Sequence, residues 1–302
     1  MNRSIQFTIT TLFAITALLS TTLAPSAVAK ETLLERGTYL MRSIVACGNC
    51  HTPKNMKGQE LPGMELAGGF GLVEPMYTWV TANITPDKET GIGNWTDAEI
   101  INAIRNGKRP NGSTIGPPMP IELYRRLSDR DVKAIVAYLR QVKPVKNKVA
   151  KSVYKFPLPP NYGATVWSVP EVSRSNPVKY GAYLAGPLGH CILCHTPMVK
   201  GRFQFKTHLG SGGLTFYLPF GEVYSANITP DKATGLGNWS DGQIKHAITK
   251  GLGKDGKPLF PPMPFPYFAN ISAADQDALV AYLRSMKPLP TSRKVRFVPK
   301  KK

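Results

Sequence analysis

The sequence predicts an all-α protein made of two tandem copies of one small domain, each a few short helices joined by long loops. Three observations carry this expectation. A shift of 144 residues (Cys47 onto Cys191) lays the second half on the first without a gap, and self-similarity at one fixed period marks a repeated structural unit. Helix-start signals recur at matching places in both halves, while strand signals are weak. The chain also holds 27 Pro and 27 Gly in 302 residues, which calls for many turns and extended connections.

One register serves five blocks. Gly37-Thr38-Tyr39-Leu40 meets Gly181-Ala182-Tyr183-Leu184, and Cys47-Gly48-Asn49-Cys50-His51-Thr52-Pro53 meets Cys191-Ile192-Leu193-Cys194-His195-Thr196-Pro197. The run from Ala82 to Trp95 meets Ala226 to Trp239, Pro117-Pro118-Met119-Pro120 meets Pro261-Pro262-Met263-Pro264, and Ala137-Tyr138-Leu139-Arg140 meets Ala281-Tyr282-Leu283-Arg284. A first helix is expected over 33–45, ahead of the first cysteine. Thr96-x-x-Glu99 and Ser240-x-x-Gln243 are capping boxes that open a middle helix after each repeated Trp. Ser128-x-x-Asp131 and Ser272-x-x-Asp275 have the same form with Asp in place of Glu, and Val132, Ile135, Val136 and Leu139 follow at helical spacing. The expected division is a leader at 1–29, a first domain at 30–143, a Pro- and Lys-containing linker at 144–179, a second domain at 180–290 and a basic tail at 291–302.

The leader differs from the rest. Arg3 supplies a positive start, Leu12 to Leu19 is a short apolar run, and Ala27-Val28-Ala29 is an A-x-A site that would release a chain starting at Lys30. This is the pattern of a cleavable secretory signal peptide. An uncleaved anchor is the alternative, but the run is shorter than a bilayer span. The expected location is therefore the periplasm. Hydrophobic residues at 42% and charged residues at 19% describe a globular chain, not a disordered one.

Three short helices bury too little apolar surface to stabilise roughly 110 residues with such long loops. Something else must fill the centre of each domain. The four cysteines fall in two C-x-x-C-H motifs, the attachment signature of c-type haem. Two thiols one helical turn apart can each add to a vinyl group of one porphyrin, and the adjacent imidazole is then placed beneath the iron. Cys47 and Cys50 would hold one haem with His51 as proximal ligand; Cys191 and Cys194 would hold the other with His195. A disulfide, a redox C-x-x-C or a zinc site are the alternatives. Zinc needs further Cys or His ligands nearby, and the first domain has no His except His51.

The sixth ligand follows from the repeat. Among the methionines after the leader, only Met119 and Met263 coincide under the shift. Each follows two prolines and precedes a third, which restrains the backbone that carries it. Each also lies 68 residues after a motif histidine. A lone Met is ordinarily a core filler; a duplicated one in this setting is expected to bind iron. His190, His208 and His246 have no counterparts and read as surface residues, although His190 adjoins Cys191. Trp95 and Trp239 either donate to a haem propionate or pack in the core.

With C-x-x-C-H after a helix, a downstream Met and a closing helix containing Ala-Tyr-Leu-Arg, both units resemble class I cytochromes c. The Ala-Asn-Ile-Thr-Pro-Asp…Gly…Trp block is similar to the cytochrome subunits of bacterial membrane-bound alcohol and sugar-acid dehydrogenases. Those subunits carry three haem motifs, and some have a C-terminal membrane-binding helix. This chain has two motifs and ends in Arg296-Phe297-Val298-Pro299-Lys300-Lys301-Lys302, so the resemblance implies a diheme relative. It implies helices wrapped around two covalent haem c groups, and electron transfer between a dehydrogenase-type donor and a cytochrome or oxidase acceptor. A diheme peroxidase or other small-molecule haem oxidoreductase is the alternative, and it would need one iron with a labile sixth position.

Lys and Arg number 38 against 19 Asp and Glu, a formal charge of +19. Part of it lies between the units, at Lys143, Lys146, Lys148, Lys151 and Lys155, and part in the tail. Such a surface suits an acidic redox partner or anionic lipid. Nucleic acid is not an expected partner, because no recognition fold is visible.

Overall fold

The computed structural model describes residues 31–291 and 296–300. The expected leader at 1–29 lies outside the described residues, as do 292–295 and 301–302 of the expected tail. Each copy is built on a pair of crossed helices. In the first, α1 (Leu33–Arg42) lies against α5 (Asp129–Gln141); in the second, α6 (Pro177–Tyr183) lies against α10 (Ala273–Ser285). The crossing is tight because of the repeated Gly. A Cβ at Gly37 would stand 2.0 Å from the Ala134 carbonyl oxygen, and one at Gly181 would stand 1.9 Å from that of Ala278. Any side chain there would push the helices apart.

Between these pairs run the short motif helices α2 (Cys47–His51) and α7 (Cys191–Cys194), the middle helices α3 (Asp97–Asn106) and α8 (Asp241–Lys250), and single turns α4 (Ile121–Tyr124) and α9 (Phe265–Phe268). The boxes at Thr96 and Ser240 are reciprocal, as their sequences predict. Those at Ser128 and Ser272 are half boxes: each Ser hydroxyl accepts from the backbone N–H three residues on, but no bond returns. The Asp131 and Asp275 carboxylates are engaged elsewhere. Asp131 pairs with the buried Arg36 at 2.7 and 3.2 Å.

The all-α expectation holds only loosely. Three small antiparallel sheets occur among the described residues: β1 (Gly71–Glu74), β2 (Tyr77–Val80) and β3 (Val153–Tyr154); β4 (Met198–Val199) with β5 (Arg202–Phe203); and β6 (Thr215–Leu218), β7 (Gly221–Tyr224) and β8 (Phe297–Pro299). The strands are two to four residues long, too short for a period of two to register in sequence. Their β-branched and aromatic residues suit a half-buried sheet surface. The third strand of each larger sheet comes from beyond the closing helix, a pairing that no local signal announces.

The segment after α5 packs almost wholly on the first copy. Lys143, Lys146, Lys148, Lys151 and Lys155 are exposed while Val145, Asn147 and Val149 are half-buried, an alternation typical of an edge lying on a surface. Val145 and Asn147 bond to the Asn83–Thr90 loop, Tyr154 donates to the Pro117 carbonyl at 2.8 Å, and Tyr162 donates to that of Ile115 at 2.7 Å. In the second copy Leu289 and Thr291 make the matching contacts to Asn227 and Thr234. The repeat therefore continues past the closing helix.

From Thr32 onward the chain forms one unit, with an apolar core shared by both copies: Leu40, Ile44 and Tyr124 of the first and Tyr183, Leu184 and Phe268 of the second belong to one cluster. Two tyrosines tie the copies together by exchange. Tyr39 donates to Asp275 at 2.7 Å and accepts from the Ser272 N–H at 3.2 Å. Its counterpart Tyr183 donates to Asp131 at 2.7 Å and accepts from the Ser128 N–H at 3.0 Å. Each therefore completes the half box that opens the partner copy's closing helix. Among the described residues, no helix is long and apolar enough to cross a membrane.

A hydrogen bond to a carboxylate is typically worth about 2 kcal/mol, so Tyr183→Phe, which leaves the buried Asp131 with one partner fewer, is expected to destabilise by about that much. Tyr39→Phe, at a more exposed site, should cost less. Because the core is shared, calorimetry is expected to show one unfolding transition in the wild-type protein; two separated transitions would contradict it.

Candidate cofactor centres

Each C-x-x-C-H motif begins at a residue forced into the left-handed region. Ala46 has φ 49° and its counterpart His190 has φ 44°, which turns the chain sharply out of the preceding helix. The single helical turn that follows presents two thiols and an imidazole. The four cysteines are free and half-buried, so the disulfide alternative is not realised. Among the described residues no cluster of three or more Cys, His, Asp or Glu is arranged to hold a metal ion, which disfavours the zinc alternative. Burial pushes the thiols up, Cys47 to about 12, Cys191 to about 11 and Cys194 to about 12. They remain neutral at pH 7.

The imidazoles are locked in the same way twice. His51 Nδ1 lies 2.8 Å from the Ala82 carbonyl oxygen, and His195 Nδ1 lies 2.7 Å from that of Ala226. A carbonyl can only accept, so Nδ1 carries the hydrogen and Nε2 keeps its lone pair. Burial pushes both pKa values down, opposed by the bond to the carbonyl. A neutral imidazole with a bare Nε2 is a good metal ligand.

The acceptor carbonyl is held by a scaffold repeated in both copies. The Gly68 N–H donates to the His51 carbonyl at 2.7 Å, as the Gly212 N–H does to that of His195. A Cβ at Gly68 would fall 2.5 Å from the Ala82 carbonyl carbon, and one at Gly212 would fall equally close to that of Ala226. Both glycines have positive φ, 73° and 76°. The Thr52 and Thr196 hydroxyls, both buried, accept from the Leu66 and Gly210 N–H groups. Asn83 fixes the other side of Ala82: its Oδ1 accepts from the Thr85 N–H and hydroxyl, and its amide donates to Thr90 and to the Val145 carbonyl. Asn227 does the same with Thr229, Thr234 and Leu289.

Met56, Met76 and Met198 are exposed, Met64 is half-buried away from the core cluster, and Met41 and Met286 are buried, whereas Met119 and Met263 are half-buried against the core cluster that Cys47 and Cys191 also touch. Tyr154 and Tyr162 brace the loop before Met119. In the second copy Phe297 stacks on Phe260, centroids 4.9 Å apart, ahead of Met263. Two thiols one turn apart, an imidazole with a free Nε2 and a half-buried thioether form a donor set that fits a covalent haem with His/Met ligation. Trp95 and Trp239 pack against the core, and their backbone carbonyls accept from Arg140 and Arg284.

His208 and His246 are exposed, as expected. His190 is not: its Nε2 lies 3.0 Å from the Tyr124 hydroxyl, and the two rings meet edge to face at 5.4 Å. The surface reading of His190 fails because the interface between the copies covers it, and sequence carries no sign of that contact. The carbonyls of Ala82 and Ala226 were also invisible, since any residue supplies one; the repeated Ala-Asn-Ile-Thr-Pro-Asp block was their only trace.

Two family models match in tandem. Residues 32–139 match the cytochrome c oxidase, cbb3-type, subunit III family, and residues 179–287 match the cytochrome c family. The chain is 30% identical to a diheme cytochrome c-type protein of Cereibacter sphaeroides, over 69% of this chain and 70% of that one. It is 33% identical to the gluconate 2-dehydrogenase cytochrome c subunit of Pantoea cypripedii, covering 74% of this chain and 52% of that protein. With the alcohol dehydrogenase (quinone) cytochrome c subunit of Gluconobacter oxydans it shares 34% identity over 88% of this chain and 57% of the other. The chain thus spans little more than half the length of these dehydrogenase subunits.

Burial holds His190 down at about 4, against about 6.5 for an exposed imidazole. The unfolded chain takes up this proton first, so the contribution is present above pH ~6.5 and is lost as pH falls towards 4. Urea unfolding of His190→Gln is expected to show a smaller loss of stability than the wild type over that interval; equal pH slopes would contradict it.

Proposed function

The chain belongs to the diheme c-type cytochromes and carries two covalently bound haem c groups, and from that premise we propose that it is an exported periplasmic carrier that takes electrons from a dehydrogenase and passes them to a downstream acceptor. The observation that carries this reading is the duplicated lock on the imidazoles, which leaves a bare Nε2 in each copy. Cys47 and Cys50 would hold one haem with His51 as an iron ligand, and Cys191 and Cys194 the other with His195. Met119 and Met263 would supply the remaining iron ligands. Haem iron supplies the one-electron chemistry; the chain would hold it and aim its ligands. With Met on both irons, neither offers an open position for substrate, which favours a carrier over a peroxidase. A thioether ligand also raises the potential relative to a second imidazole, which suits a step late in a path from a dehydrogenase.

The donor side of the reading is supported by the dehydrogenase cytochrome subunits among the relatives. The exposed row Lys143, Lys146, Lys148, Lys151 and Lys155 offers positive charge to an acidic partner or to anionic lipid. Lys146 already pairs with Glu89 at 2.6 Å and Lys155 donates to the Pro75 carbonyl at 3.2 Å, which leaves Lys143, Lys148 and Lys151 to act outward.

The ligand assignment is tested by Met119→Ala and Met263→Ala. Each is expected to remove about half of the weak near-infrared sulfur-to-iron band of the oxidised protein and to lower one of two potentials, since His/Met ligation holds a potential high. If both single variants keep the full band, other groups bind the irons.

The docking reading predicts a rate that falls steeply with salt, because attraction between surface charges is screened over about 8 Å at physiological ionic strength. Reversing Lys148 and Lys151 to Glu should flatten that dependence in stopped-flow reduction by the native donor. A steep dependence that survives these changes moves the docking face elsewhere.

A further inference from the structure

Both attachment turns border the interface between the copies. The Cys194 thiol lies within electrostatic reach of Cys50 in the other copy. Tyr124, at the end of the turn that follows Met119, lies close to Cys47 and Cys50 and is itself buried. Its hydroxyl meets the His190 Nε2 at 3.0 Å, and His190 is bonded directly to Cys191. From the other side Tyr267, which follows Met263, reaches the first motif: a Cβ at Gly48 would stand 2.0 Å from its hydroxyl oxygen. Gly48 is thus the residue between Cys47 and Cys50 that lets the second copy approach.

The contact is asymmetric. Under the repeat Tyr124 corresponds to Phe268 and His190 to Ala46, neither of which has a side-chain polar atom. A polar bridge therefore exists on one side of the interface, and it runs from beside the first pair of cysteines to the residue before the second. Its partners have no role in binding either haem under the proposed ligation.

We propose that Tyr124 and His190 form a hydrogen-bonded bridge across the interface that carries electrons between the two haem sites, so that the sites equilibrate inside one molecule. This rests on the ligation proposed above. In each transfer one site is oxidised by one electron and the other is reduced by one; no bond is made or broken, and neither residue gains or loses a proton. Electronic coupling weakens far more across a van der Waals gap than along covalent and hydrogen bonds. The 3.0 Å hydrogen bond closes the gap where the copies meet. An electron delivered by a partner at either copy can then leave from the other.

The test is two-dimensional exchange NMR on the half-reduced full-length protein, following haem methyl signals at several protein concentrations. In the wild type, exchange between the two one-electron forms is expected to be fast and independent of concentration. Tyr124→Phe keeps the ring and removes only the hydroxyl; His190→Gln keeps a polar group and removes the ring. Both are expected to slow the exchange severalfold with haem content and the sulfur-to-iron band unchanged. Tyr39→Phe, which loses an interface hydrogen bond away from both attachment turns, should leave it as in the wild type. Exchange unaltered in both bridge variants would overturn the proposal, as would equal slowing in Tyr39→Phe. A wild-type protein lacking two haem methyl sets or the sulfur band would instead overturn the ligation beneath it.

Discussion

The bond from an imidazole Nδ1–H to a backbone carbonyl decides which ring nitrogen is free, and the surroundings of each motif are arranged to keep that carbonyl in place. Ala82 presents its oxygen to His51 at 2.8 Å because Gly68 lets the two backbone segments touch and Asn83 holds the next residue in a fixed turn. The acceptor is neutral, so it selects the tautomer without drawing a second proton onto the ring. Asn83 in turn depends on the Val145 carbonyl, contributed by the chain after the closing helix. A segment that reads as a linker thereby reaches the ligand in three steps, and Leu289 repeats the arrangement in the second copy.

The same economy governs the junction of the two copies. Asp replaces the usual Glu at the third position of the closing helix, and the shorter carboxylate does not fold back on its own cap. It is left for a tyrosine of the other copy, twice, in opposite directions. Elsewhere at the junction the copies have diverged: Arg36 faces Asp131 where the counterparts are Tyr180 and Asp275, and Tyr124 meets His190 where the counterparts are Phe268 and Ala46.

Function joins these two features. The locked imidazoles belong to each copy separately, whereas any path between the sites belongs to the junction. The lysine row lies on neither; it lines the outer edge of the segment that braces the Asn83 loop and the Pro117 carbonyl. Charge for meeting a partner and bonds for holding a ligand thus occupy opposite faces of one extended stretch.

The duplication, the positions of the principal helices, the haem motifs and the paired methionines were legible in the sequence, because each is a local pattern or its repetition. Helix caps are written within four residues, and a C-x-x-C-H turn needs no distant partner to be recognised. The small sheets were not legible, since two- to four-residue strands carry almost no periodicity and their third strands arrive from beyond the closing helices. The carbonyls of Ala82 and Ala226 were hidden because a backbone acceptor has no residue identity. His190 looked like a surface residue because its neighbour Tyr124 stands 66 positions away in the chain. Local hydrogen bonding and spacing were settled by the sequence alone; which carbonyl meets which ring, and which side chains close the junction, were decided only when packing brought distant segments within 3 Å of each other.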